Sequence, residues 1–317
     1  MKEKEKKAPL LKGKTGFSLK LIALISAVLF GALAAVRIYQ TFFNIDGTTG
    51  YFINSSFTVL HMYLPLIGGL LVCALCYISD DMARGKTVGK ASFIGAATGI
   101  LFGLSVVYEG AVSLFDGIRA VPLHIIPGES VSFSVITEAF GGKIEFFATV
   151  CAILGGIVIL AEGVISASGR EIPSFMKLPM LIPVLWAFLE TLTFFSVTVS
   201  YLEVSQLFFE IFSRAFLMVF LFEHARMVSG IGKKDSSWFF FASGILAAGF
   251  LFMAGVPYFL ASLFATDKIV SYCPFEFYVI AGGLYAVATV IKRSGREEEE
   301  SEIPVMPLNT EDVTETL

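Results

Sequence analysis

Eight stretches of this chain are long and apolar enough to cross a bilayer: 19–43, 57–78, 91–113, 144–166, 178–200, 204–225, 237–260 and 275–291. A helix needs about 20 such residues to span the hydrocarbon core. Within lipid a helix also satisfies its own backbone polar groups, which an isolated strand cannot do. Composition agrees: 56% of the 317 residues are hydrophobic, 16% are charged and 32 are Phe, and the mean hydropathy is +0.78. That balance lies outside the range of soluble domains. The expectation is an all-α polytopic membrane protein with eight transmembrane helices and the lipid bilayer as its first partner. No basic stripe or nucleic-acid motif is present, so nucleic acid is not an expected partner.

The cations set an orientation. Eighteen of the 23 Lys and Arg fall before the first run, between runs two and three, four and five, six and seven, or after the eighth. The positive-inside rule then places both termini in the cytoplasm of a multi-pass plasma-membrane protein. A cleaved signal peptide over 1–34, with Ala32-Leu33-Ala34 as its processing site, is the rival reading. The apolar run continues past that site, which favours a retained first helix.

Three ordered echoes run along the chain. Lys20-Leu21-x-x-Leu24-Ile25 recurs as Lys177-Leu178-x-x-Leu181-Ile182, Met82-x-x-Gly85 as Met227-x-x-Gly230, and Ser168-Gly-Arg-Glu171 as Ser294-Gly-Arg-Glu297. Self-similarity of this kind points to duplication. The expected organisation is a basic tail (1–18), a first four-helix unit (19–171), a second (172–291) and an acidic tail (292–317). An even number of helices per copy makes the repeat parallel. The connection 114–143 is expected to be a long external loop, lying on the membrane surface or folding over the bundle as a lid.

Ionisable residues inside apolar runs are costly and commonly functional. Glu210 and Arg214 are four apart, hence on one helical face, and Glu190 lies mid-run in the preceding span. They form the candidate substrate- or ion-binding site, with one carboxylate left over for a cation, a proton or a solute amine. A structural ion pair that fixes helix packing is the alternative. Arg37, His61 and Glu109 are candidates for an external vestibule, although snorkelling to the interface also accounts for Arg37. Pro65 and Pro257 are expected to interrupt their helices. Gly95, Gly99 and Gly103 form a small-residue ridge suited to close packing. Cys73 and Cys76 are expected to be buried thiols, and Cys151 with Cys273 a possible external pair.

Glu210-x-x-x-Arg214 followed by Phe220-x-x-x-His224 superficially resembles the motifs of the intramembrane CAAX-protease-like family. That family pairs two glutamates and spreads its motifs over separate helices. Here Phe209 precedes a lone Glu210 and all four residues share one run, so membership is not inferred. No phosphate-binding glycine loop, H-E-x-x-H or nucleophile motif occurs, the Cys73-x-x-Cys76 spacing lies in an apolar run without further ligands, and no catalytic residue, metal or cofactor is expected. Three functions remain open: a transporter or solute-binding membrane subunit taking a small molecule or ion, a sensor or assembly component with a protein partner, and, with least support, a membrane-embedded enzyme.

Overall fold

The computed structural model describes residues 18–53, 58–79, 93–125, 132–170, 172–196, 205–230, 237–269 and 274–294. Among them the chain is all-helical: α1 (Leu19–Phe43), α2 (Thr58–Ile78), α3 (Phe93–His124), α4 (Phe133–Ala139), α5 (Lys143–Ala167), α6 (Ile182–Ser196), α7 (Ser205–Val228), α8 (Ser237–Phe264) and α9 (Phe277–Ser294). Two single 3-10 turns, Ser174–Met176 and Pro179–Leu181, lead into α6. Each long helix coincides with one of the eight apolar runs. Five segments are long and apolar enough to cross a membrane: Leu19–Phe43, Phe93–His124, Lys143–Ala167, Ser174–Phe195 and Trp238–Phe264. Tyr63–Ile78 and Phe277–Lys292 are shorter apolar helices.

Local chemistry sets several boundaries. The Ser18 hydroxyl accepts the Leu21 amide hydrogen and caps α1. Gly169 (φ +68) sits just past α5, where its own amide and that of Arg170 bond back to Ser166 and Ile165. The Ser168-Gly-Arg echo is therefore a helix stop signal. Gly230 (φ +72) likewise follows the end of α7, with its amide bonding back to Met227. The counterparts at 82–85 and 295–297 lie outside the described residues.

The proline and loop expectations need correction. Pro65 and Pro257 lie inside α2 and α8, which continue through them; packed neighbours and nearby polar groups make such a residue tolerable in lipid. Much of 114–143 is not loop. α3 runs on through Pro122 to His124, so its 32 residues extend about 48 Å, well beyond a bilayer core of about 30 Å. α4 follows, and Phe133, Phe140 and Phe146 pack edge to face where it meets α5.

Helix α8 is the central element, with α1, α2, α7 and α9 packed around it, and α3, α5 and α6 lie beyond α9 and α7. The tightest seam joins α3 to α5. A methyl group placed on Gly103 would lie 2.5 Å from the Leu160 amide nitrogen, and one on Gly163 would lie 2.8 Å from that of Ile100. Only glycine permits that approach. The small-residue ridge is thus a packing surface, and it brings Glu162 of α5 into the interior.

Candidate functional site

Two buried polar clusters lie at opposite ends of the bundle. The first is centred on Arg214, which is 1% exposed. On α7, Gln206, Glu210 and Arg214 recur at four-residue intervals and so share one face. The Arg214 guanidinium donates to the Glu210 carboxylate one turn earlier and to the Glu276 carboxylate just before α9. Its Nε lies 4.0 Å from Glu190 Oε2 on α6. Phe194 and Tyr278 bracket the guanidinium, with ring centroids 4.0 and 5.5 Å from its central carbon. Glu109 of α3 is half-buried and within electrostatic reach of Glu276 and Arg214.

A second arginine joins the network. Arg37, also 1% exposed, donates to Gln206 Oε1 at 3.0 Å and lies over the Phe209 ring at 4.8 Å. Gln206 donates in turn to Glu210 Oε1 at 2.6 Å and to the Ala254 carbonyl at 3.2 Å. The glutamine relays between the arginines through a neutral bridge, using both faces of its amide.

Of the residues singled out from sequence, Glu190, Glu210 and Arg214 are brought together, and Arg37 and Glu109 meet the same network. Arg37 does not snorkel: a guanidinium engaged 169 positions away in sequence is held inside the bundle. The His61 side chain lies outside the described residues. Cys73 and Cys76 are free thiols in α2, Cys76 fully buried; Cys151 is also free, and Cys273 lies outside the description. No three His, Cys, Asp or Glu side chains are grouped as metal ligands among the described residues.

The second cluster lies about 15 Å further along α7. His224 Nε2 is 2.7 Å from Glu162 Oε1 of α5, and the Tyr285 hydroxyl of α9 donates to Glu162 Oε2 at 3.1 Å. Lys292, two turns beyond Tyr285, reaches Ser166 Oγ at 3.4 Å. A cavity of about 30 Å³ adjoins these side chains, enough for one water. A layer of buried rings, Tyr278, Trp186, Phe102 and Tyr285, runs from one cluster to the other. Successive ring centroids are 5.1, 6.2 and 5.5 Å apart, and every ring is buried.

Sequence reasoning missed Glu276, Gln206, Glu162 and Tyr285 as site residues. Glu276 was visible only as the residue opening an apolar run. Glu162 meets the criterion that selected Glu190, an acid within an apolar run, and that signal was available. Gln206 and Tyr285 carried none, because polar and aromatic residues are common in spans. Comparison with protein-family models, curated proteins and solved structures gives no match for the chain.

Proposed function

We propose that the chain is a polytopic transporter, or a solute-binding membrane subunit, whose site is the acid-rich network around Arg214. In this reading eight helices cross the bilayer: the five apolar spans, the shorter α2 and α9, and α7, whose charges are neutralised within the bundle. Helix direction supports it. α7 runs antiparallel to α8, α8 to α9, and α3 to α5, as alternate crossing requires. Cation placement favours both termini on the cytoplasmic side, and the plasma membrane is the location we propose. The two-unit organisation rests on the sequence echoes. Packing does not mirror it simply, since α7 and α8 lie side by side while their counterparts α2 and α3 do not.

One observation carries the functional reading. Carboxylates from three segments converge on a single buried guanidinium with a fourth in reach, and among the described residues one further arginine joins them. Buried charge must be balanced. Two carboxyl groups therefore call for positive partners, which protons or a solute ammonium would supply. The aromatic faces of Phe194 and Tyr278, already against a guanidinium, suit an organic cation equally well. No nucleotide-binding motif occurs in the sequence, so the energy would come from a coupling ion or a separate ATPase.

The test uses the full chain in proteoliposomes, with radiolabelled methylammonium outside and a pH-sensitive dye inside. Expected are methylammonium uptake or proton flux by the parent protein, loss of that flux in Glu190→Gln, and a thermal midpoint in detergent that stays close to the parent's. A parent that moves neither probe, or a variant that keeps its flux, rejects the reading. A lowered thermal midpoint with flux intact marks the network as structural.

A further inference from the structure

The cluster at the other end of the bundle is not used by the Arg214 site. We propose that His224, Glu162 and Tyr285 form a second, separate proton-binding site, with the proton taken up at His224 Nδ1.

The geometry fixes the roles. His224 Nε2 is the nitrogen facing Glu162, and an ionised Glu162 only accepts, so Nε2 carries the hydrogen in that state. That leaves Nδ1 as the basic nitrogen. It is buried and has no hydrogen-bond partner among the described residues. A buried lone pair of that kind is a costly vacancy unless a proton or a water fills it, and His224 lines a cavity of water size. Proton uptake turns a neutral imidazole beside a carboxylate into an imidazolium–carboxylate pair. The His224–Glu162 pair then passes from net negative to neutral, with the Lys292 charge at its outer edge.

The groups facing His224 agree with this assignment. α5 presents Glu162 and Ser166, and α9 presents Tyr285 and Lys292, with Lys292 at the outer edge and within electrostatic reach of Glu162. On α7 itself Glu223 is engaged by Arg226 at 2.6 Å. α3 contributes Gly95 and Gly99, and α8 contributes Phe240, none of which titrates. The Tyr285 hydroxyl, within 3.1 Å of both Nε2 and Glu162 Oε2, holds the carboxylate towards the ring. Ser166 and Lys292 mark the approach from the helix ends where α5 and α9 finish, and the aromatic layer closes the other side. As a coupling site the cluster would rest on the transport reading; as a proton site it stands on these contacts alone.

The chain has three histidines, so nitrogen-15 histidine labelling of the full-length protein in nanodiscs resolves them. His61→Gln and His124→Gln assign the remaining signals without touching the cluster. Expected is a His224 ring that is neutral with hydrogen on Nε2 at alkaline pH and becomes imidazolium on acidification. In Glu162→Gln the imidazolium should be lost at pH values where the parent shows it, because the stabilising carboxylate charge has gone. Tyr285→Phe, a milder change, should move the transition in the same direction by less. A His224 ring that keeps one form throughout the folded pH range overturns the proposal, as does a hydrogen on Nδ1 in the neutral form. If His224 titrates while Glu190→Gln leaves flux untouched, the transport reading falls and this site stands.

Discussion

The two polar clusters solve the same problem with different chemistry. At one end an arginine, charged under all conditions, is surrounded by more acids than it can neutralise. At the other a single histidine, whose charge is conditional, is matched to a single glutamate. The first is a fixed cation with a surplus of acids, the second a pair that is balanced only when the histidine carries its second proton. A permanent charge in the interior demands permanent partners, and Arg214 has them from α6, α7 and the segment entering α9. A titratable ring does not, and His224 Nδ1 has no hydrogen-bond partner among the described residues.

The largest expected effect tests that asymmetry directly. Arg214→Met removes the cation that Glu210 and Glu276 contact among the described residues and leaves several carboxyl groups facing one another in a buried space. Breaking a buried pair from one side costs about 3–5 kcal/mol, so the thermal midpoint in detergent should fall sharply. Adding Glu210→Gln and Glu276→Gln to that variant should recover a large part of the loss. A triple variant no more stable than the single one would show that the acids are not restrained by Arg214.

Next in size is the seam that carries Glu162. Gly103→Leu places a branched side chain where even a methyl group meets the Leu160 backbone. The helices α3 and α5 must separate, at a cost of about 1–3 kcal/mol. Glu162, seated on α5, should then withdraw from His224, while the Arg214 network, held mainly by α6, α7 and α9, should persist. A His224 titration unchanged by this substitution would mean that the pair does not depend on the glycine seam.

How much of this was legible in the sequence follows from the same contrast. Apolar run length located every long helix, because the bilayer imposes one dominant constraint. The four-residue spacing of Glu210 and Arg214 located half of the arginine network, since neighbours on one helix are set by helical geometry alone. What crosses between helices was not legible. Arg37 and Gln206 are 169 positions apart, and Glu162 and His224 are 62 apart; which faces meet depends on glycine seams and crossing geometry that periodicity does not encode. α3 also ran past its expected end. The apolar run closes at 113, but the helix continues to His124; Pro122, which has no amide hydrogen to give the Ile118 carbonyl, falls only two residues before that end.

The smallest expected effect lies at the rim of the arginine end, where the α1–α2 connection meets the turn after α8. Asp46 is held in a tight loop. Its carboxylate accepts the Thr48 amide hydrogen at 3.0 Å and the Thr49 and Thr48 hydroxyls at 2.9 Å. Gly50 (φ 73) closes the turn, and Gly47 sits directly against the Asp267 backbone. The Thr48 amide bond first, and then the hydroxyl bonds, hold the Asp46 carboxyl below the usual 3.8. A depressed folded-state value means that the ionised form is favoured by the fold. Its contribution is therefore complete above the ordinary aspartate value and is lost as pH falls through the lower folded value. Acidification below about pH 4 should loosen this loop, seen as faster amide exchange at Thr48 and Gly50, and Asp46→Asn should weaken that dependence. The Arg214 cluster, whose guanidinium keeps its charge under all conditions, should keep its arginine contacts while this loop loosens. Loop exchange at Thr48 that rises together with His224 protonation would show instead that the two ends move as one unit.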